Sequence, residues 1–255
     1  MRRVRIIPVL LVKQGGLYKS IKFSNYKYVG DPINAVKIFN EKEVDEIIIL
    51  DIDATSSGKS PNLKLISEIA GEAFMPLAYG GGISTIDQVK QILYEGVEKV
   101  SFNMAAWKTP QLISEVARQF GSSSVVVSID VRKDWLGRKK VFCLNGSKNT
   151  TYCPVKFAKE MENAGAGEIL LNSIDRDGTF QGFDIELIQE VSKNVTIPVI
   201  ACGGASSLHD FRNAIIQGAS AVAAGSYFVF QRPHRAVLIT YPPQQELIEE
   251  IYSQV

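Results

Sequence analysis

The sequence predicts an α/β protein, a (β/α)8 TIM barrel built from two duplicated half-barrels. Two observations predict it. Eight short, β-branched apolar runs alternate with amphipathic segments along 255 residues, and the chain resembles itself at an offset of 122 positions. Continuous apolar runs of this length suit parallel strands covered on both faces, and eight strand–helix units in about 250 residues fit a closed barrel. A doubly wound sheet remains the alternative, but it has no need of eight evenly spaced strands.

The runs in order are RIIPVLLV (5–12), EIIILDI (46–52), MPLAYGG (75–81), EKVSFN (98–103), SSVVVSID (123–130), GEILLNS (167–173), IPVIACGG (197–204) and AVAAGS (221–226). Between them, DPINAVKIFNEKE (31–43), STIDQVKQILYEG (84–96), CPVKFAKEMENAG (153–165) and SLHDFRNAIIQG (207–218) read as helices. Each opens on a polar residue or proline, and three of the four end on glycine or just before it. Phe228 and Phe230, at alternate positions, are expected to pack barrel against helices.

At the offset of 122, Pro32 falls on Pro154, Lys37 on Lys159, Glu46 on Glu168, Pro76 on Pro198, Gly96 on Gly218 and Val100 on Val222. Two similar four-unit halves, about 1–121 and 122–240, close into one barrel with pseudo-twofold symmetry. The whole chain, 1–255, is therefore expected to form a single domain. A proline stop then precedes a C-terminal helix over 243–253, whose Leu247, Ile248 and Ile251 are expected to cover the rim.

Composition narrows the function. The chain is 45% hydrophobic and 22% charged with a net charge of +1, so a nucleic-acid or anionic-membrane partner has no support. The apolar start is broken by Pro8 and stops at Lys13, which fits a first strand better than a signal peptide. No run approaches the roughly 20 apolar residues of a membrane span. A cytoplasmic location is the expectation. Cys143, Cys153 and Cys202 are odd in number and lack paired spacing, and His209 and His234 stand apart, so no metal and no cofactor are expected. Asn145 and Asn149 sit in glycosylation-like triplets that are more simply turns.

Reactive groups of such barrels sit at the C-terminal ends of strands. Two glycine-rich turns stand there: Gly80, Gly81 and Gly82 after the third run, and Gly203 and Gly204 after the seventh. Each precedes a Ser/Thr-rich helix start, so each can hold a phosphate, with Asn103 closing the first cradle and Gly225 and Ser226 the second. Read singly, each is only a tight turn. As a pair, four units apart, they suit a long ligand with a phosphate at each end. Asp51, Asp53, Asp130, Asp175 and Asp177 are the acids at strand ends. Asp130 is the candidate general acid or base, or else a residue that orients Lys19 or caps a loop. Lys19 is either a cationic clamp on the ligand or one lysine on a mobile surface loop. Asp175 and Asp177 flank Arg176 and read equally as loop-shaping turns or ligand contacts.

IIP at the start, LDIDA, GGGI, VSFN, SIDRDGT and CGGA, in this order and spacing, resemble the cyclase subunit of imidazole glycerol phosphate synthase. The resemblance covers all but about the last twenty residues. It implies a glutaminase partner docked at the N-terminal face of the barrel and ammonia passed along the axis to a phosphate-bearing substrate. It implies phosphate contacts at Gly81, Gly82, Asn103, Asp177, Gly178, Gly203, Gly204, Gly225 and Ser226. It also implies an ammonia gate of Arg5, Glu46, Lys99 and Glu168, which would pair with one another; the plain alternative is four strand-end charges facing solvent.

One departure is specific. Where the family's first strand ends in an acid, this sequence has Leu11, so of two catalytic carboxylates only Asp130 remains, with Lys19 beside it. Met104, Asn172 and Tyr79 also depart from the family pattern and are expected around the ligand, while the gate is intact. The stretches IIPVLLVKQGGLYKS, KYVGDPINAVKIFNEKEVDE and YFVFQRPHRAVLITYP resemble a branch of cyclase-like proteins associated with acetamidino groups on nucleotide-activated sugars of surface polysaccharide. That branch implies a nucleotide-sugar acceptor and an N-sugar amidotransferase as a third protein. The alternatives are a true cyclase of histidine biosynthesis, and a noncatalytic partner that activates a glutaminase.

Overall fold

The computed structural model describes residues 4–254. Eight parallel strands close into a barrel: β1 (Arg5–Lys13), β2 (Ile47–Asp51), β3 (Leu77–Gly80), β4 (Lys99–Phe102), β5 (Val125–Lys133), β6 (Glu168–Ser173), β7 (Val199–Cys202) and β8 (Ala221–Ala224). Each pairs with the next, and β8 returns to β1 with Arg5 opposite Ala221. All eight predicted runs are the barrel strands.

Strand alternation sorts the side chains into two cores. Outward residues such as Ile6, Leu10, Ile49, Val100 and Val127 are buried under the ring of helices. Inward residues fill the barrel: Ile7, Ile48, Ala78, Val126, Ile200 and Ala221 in one set, with Val9, Leu170 and Ala223 nearer the mouth. Phe228 and Phe230 are buried in the outer core, where Phe228 stacks on Tyr241 at 5.3 Å between centroids.

Helix starts follow sequence chemistry. Asp31 caps the helix Pro32–Glu41, whose proline needs no amide hydrogen there. Thr85 with Gln88, and Ser207 with Asp210, form capping boxes on the helices Ile86–Tyr94 and Leu208–Ile216. These two boxes are separated by the same offset as the sequence repeat. Asn103 and Gly225 also correspond, with φ/ψ of −117°/−75° and −104°/−68°. The halves thus repeat local geometry as well as residue type.

Hairpins follow β1 and β5, one in each half, and a short antiparallel pair, Phe230–Gln231 with Ala236–Val237, follows β8. After β1, strands Gly16–Ile21 and Ser24–Gly30 fold back antiparallel, with Leu11 opposite Tyr18. After β5, strand Lys139–Cys143 folds back with Phe142 opposite Asp130. The tail forms a helical turn, Gln244–Leu247, running into a wider turn over Ile248–Tyr252. Leu247 and Ile251 are buried but Ile248 is about half exposed, so the expected three-residue apolar face is in fact two. Tyr241 donates to the Ile6 carbonyl at 3.0 Å and Tyr252 to Asp45 at 3.4 Å, which ties the tail to the N-terminal rim.

Candidate functional site

At the N-terminal end, the starts of β1, β2, β4 and β6 bring four charges together. Arg5 Nη1 lies 2.5 Å from Glu46 Oε2, and its Nη2 lies 2.6 Å from Glu168 Oε1. Lys99 Nζ closes the circuit at 3.1 Å from each glutamate. The four alternate in sign around a closed ring, and Glu46 is almost wholly buried within it. Glu46 and Glu168 are one of the repeat pairs, so the two acids occupy equivalent places in the two halves. Each glutamate has two oppositely charged partners, which offset the cost of removing its charge from water. Burial works to lower the Arg5 pKa, and the two glutamates outweigh it, so its pKa is raised.

At the C-terminal end lies a cavity of about 400 Å³, within the range of small-molecule sites. Its floor is Val9, Leu50, Ser101, Ser128 and Leu170, and it opens past Leu11, Asp51, Asp130, Asn172 and Cys202. The apolar set around Ile7, Ile48 and Ala78 separates this floor from the charged ring.

Asp130 stands buried in the cavity wall. Asn103 Nδ2 donates to its Oδ2 and to the Ser128 carbonyl, each at 3.1 Å. Burial, then the nearby charge of Asp177, pushes the Asp130 pKa up to about 7, against a hydrogen bond from Asn172. Among the described residues Asn172 Oδ1 has no hydrogen-bond partner, and neither does Ser101 Oγ; both residues line this cavity. The hairpin after β1 lies over the mouth. It buries Lys19, whose Nζ donates to the Val9 carbonyl and faces Asp177. Burial lowers the Lys19 pKa to about 8, partly offset by Asp177; burial likewise raises Asp177 to about 6, offset by Lys19. Lys19 is therefore an internal group of the cavity and not a mobile surface lysine.

The two glycine pairs, twins in sequence, differ in the structure. Gly81 and Gly82 border the cavity with Asn103 and Met104. Gly81 has φ +123°, and a Cβ there would stand 2.3 Å from the Asp51 carbonyl oxygen, so only glycine fits. Gly203 and Gly204 are buried and do not line the cavity: Gly203 packs on Asn172 and Ser173, Gly204 on Gly182 and Arg176. Gly178 packs against the Ser20 carbonyl and is also outside the cavity wall. The reason is the hairpin: Lys22 N donates to Asp177 O at 3.0 Å and Ser20 Oγ to Asp177 Oδ2 at 3.3 Å, drawing it onto segment 174–182. Of the phosphate contacts expected in that half, Asp177, Gly225 and Ser226 reach the cavity, and Lys19 Nζ lies against Gly225.

Other expectations need correction. Tyr79 alternates with Ala78 and Gly80 and points outward into the helix layer, so it does not surround a ligand. Asp175 accepts from Lys133 N at 2.9 Å and shapes a loop outside the cavity. Asn145 is a turn residue, as expected, but its Nδ2 also donates to the Ile52 carbonyl at 2.7 Å, joining the β5 hairpin to the loop after β2. Sequence reasoning missed Lys59, Lys108, Thr55 and Ser60 on the cavity rim; the run Gly58-Lys59-Ser60 was the available signal. Among the described residues no three His, Cys, Asp or Glu side chains cluster to hold a metal, and no helix is long and apolar enough to cross a membrane.

The model of a family described as histidine biosynthesis protein matches residues 5–233. The chain belongs to that family. Within it, the relatives are HisF-like. A Pseudomonas aeruginosa protein provisionally named imidazole glycerol phosphate synthase subunit hisF2 is 54% identical over 248 residues, covering 97% of this chain and 99% of the relative. A provisionally named HisF subunit of Leptospira interrogans is 49% identical, covering 96% and 98%. The imidazole glycerol phosphate synthase subunit HisF of Alkaliphilus metalliredigens is 43% identical over 225 residues, covering 88% and 89%. Leu11 of β1 is an apolar side chain on the wall of the cavity that also holds Asp130.

Proposed function

We propose that this chain is the synthase subunit of a glutamine amidotransferase pair, receiving ammonia at the charged ring and delivering it to a phosphate-bearing acceptor at the opposite mouth. The observation that carries this is the closed Arg5–Glu46–Lys99–Glu168 circuit beneath a barrel whose upper cavity holds the buried acid Asp130. Ring and cavity lie at opposite ends of one axis. A HisH-type glutaminase on the N-terminal face would open the ring, and neutral ammonia, unlike ammonium, can cross the apolar set above it. Gly81, Gly82, Asn103, Asp177, Gly225 and Ser226 are the proposed anion contacts.

Asp130 is the proposed proton-transfer group. With its pKa near 7 it exists in both forms at neutral pH, which is what a general acid or base requires. Lys19, lowered to about 8, can take up or give a proton on the other side of the cavity and offers a cation to the acceptor. Leu11 cannot transfer a proton. Cyclisation and lyase chemistry shared between two carboxylates would lose about 10²–10⁴ in rate with one of them missing.

The acceptor proposed on this ground is a nucleotide-activated sugar undergoing acetamido-to-acetamidino conversion, with an N-sugar amidotransferase as a third protein. Imidazole glycerol phosphate synthesis is the second reading, favoured by the names of the relatives and by the retained Asp130. Complementation decides between them. Rescue of a histidine auxotroph lacking its cyclase subunit would establish the second reading and overturn the first. Glutamine hydrolysis by the cognate glutaminase, stimulated by this chain and by UDP-sugars without such rescue, is the expected result.

A further inference from the structure

We propose that the hairpin after β5 is a docking knob for a partner protein with an acidic face and an apolar pocket, which takes Trp135 at the tip. The proposal deepens the reading in which a third protein completes the work of the pair, and rests on it. It starts from the tip itself. Trp135 is 89% exposed and its neighbour Leu136 51%, whereas the other tryptophan of the chain, Trp107, packs against the outer core. The turn that presents them is closed by its own bonds. Asp134 Oδ1 accepts from Leu136 N and Arg138 N, Asp134 Oδ2 accepts from Arg138 Nε, and Asp134 N donates to the Arg138 carbonyl, each at 2.9 Å. A large aromatic side chain on a turn of fixed shape has little freedom left to lose on binding, and tryptophan is among the residues that dominate protein interfaces.

The hairpin is also tied down at a defined place. Lys139, opposite Lys133 in the ladder, reaches Glu186 at 2.9 Å and Glu190 at 3.1 Å on the helix Ile185–Ser192. The returning strand then runs down to Leu144 and Asn145, which line the cavity. A protein that holds the tip therefore stands beside the open mouth, at the end of the barrel opposite the charged ring. That is where anything leaving the cavity has to be received.

Charge says what kind of protein fits. From Val131 to Asn149 the chain carries Arg132, Lys133, Arg138, Lys139, Lys140 and Lys148 against Asp134 alone, in a protein whose net charge is +1. Some of these cations are engaged: Arg138 pairs with Asp134, Lys139 with the helix acids, and Arg132 donates to the Gly146 and Lys22 carbonyls. Lys133, Lys140 and Lys148 form no ion pair among the described residues, although Lys133 acts on Glu186 from a distance. At the foot of the hairpin a hollow adds Lys22 and Arg176. Its acids are occupied, Asp175 by Lys133 N, Asp184 by Leu187 N and Glu186 by Lys139. The complement of this surface is acidic. A second copy would bring one basic hairpin against another. An anionic bilayer would attract the lysines, but it has no use for a turn of fixed shape, and two apolar side chains give it little to bury.

Sedimentation velocity of the chain bound to its glutaminase, mixed with the N-sugar amidotransferase at low and high salt, tests this. The expected result is an association that salt weakens, that Trp135→Ala weakens about tenfold or more, and that Lys133→Glu with Lys140→Glu weakens about fivefold or more. No association of the wild type, or an association unchanged in either variant, would overturn the proposal. Binding to phosphatidylglycerol vesicles, or self-association, that depends on Trp135 in place of binding to the protein would overturn it as well. Trp135 stands in water, and an unchanged melting curve would confirm that its variant is folded. Stimulation of glutamine hydrolysis by the wild-type chain is measured in parallel. Its absence alongside a Trp135-dependent association would sink the amidotransferase reading and leave the docking surface standing; stimulation with an association indifferent to Trp135 would sink only the docking surface.

Discussion

Arg5 Nη2 donates to Glu168 Oε1 at 2.6 Å, joining residues 163 positions apart across the bottom of the barrel. With Glu46 shared between Arg5 and Lys99, every charge in the ring has two opposite neighbours. Such an arrangement is stable only as a whole, because removing one member leaves the others desolvated and unbalanced.

The Glu46→Ala variant is therefore expected to lose about 3 kcal/mol of stability, at the low end for a broken buried pair since Arg5 keeps some solvent contact. Urea denaturation at low and high salt measures it. A loss under about 0.5 kcal/mol would mean that the ring is an exposed surface network. In the assembled pair, the same variant should uncouple glutamine hydrolysis from product formation.

Asp130→Asn keeps the shape of the side chain and removes the proton. Ammonia-dependent product formation should fall by about 10²–10⁴. The wild-type rate, with Asp130 as base, should rise through about pH 7, and the variant should lack that limb. Stability carries an independent sign. The folded protein holds this proton up to about pH 7 while the unfolded chain releases it near the ordinary carboxylate value, so stability conferred by protonated Asp130 declines as pH rises through that interval. Asp177, raised to about 6, acts in the same direction. Denaturation midpoints of the variant should change less between pH 4 and pH 7; an identical change would remove Asp130 as the cause.

Leu11→Asp puts a carboxylate on the cavity wall at β1, in the cavity that holds Asp130. If the missing acid is what separates this chain from imidazole glycerol phosphate synthesis, the variant should gain about 10²-fold or more in rescue of a histidine auxotroph's cyclase reaction. No gain would show that Met104, Asn172 or the hairpin also exclude that substrate.

Gly81→Ala adds a methyl group 2.3 Å from the Asp51 carbonyl oxygen at φ +123°. Stability should drop by more than about 1 kcal/mol, and UDP binding should be lost. Gly137→Ala, at φ +75° on the β5 hairpin tip with open space around it, is the control: it carries the backbone strain without the clash and should bind UDP normally.

Much of the site was legible because its residues sit at fixed strand ends. Asn103, Gly81 and the four ring charges are each the first or last residue of a barrel strand or its immediate neighbour, and Asp130 lies within β5, so strand alternation aims them before any packing is known. Lys19, Gly178, Gly203 and Gly204 were harder. They lie in or under a hairpin that folds across the mouth, and no local pattern says where a hairpin lands. Lys59 and Lys108 were missed for the same reason, since each is an ordinary polar loop residue until the neighbouring loops are placed.

The sequence by itself determined the eight strands, their closure into a barrel, the repeat and the apolar residue at position 11, because apolar periodicity and strand order are local properties that backbone geometry turns into architecture. Only the tertiary structure decided that the four charges meet, that Lys19 is turned inward against Asp177, and that one glycine pair is open while its twin is covered. Those outcomes depend on contacts between segments distant along the chain, where burial and charge pairing act on neighbours that the sequence does not list in order.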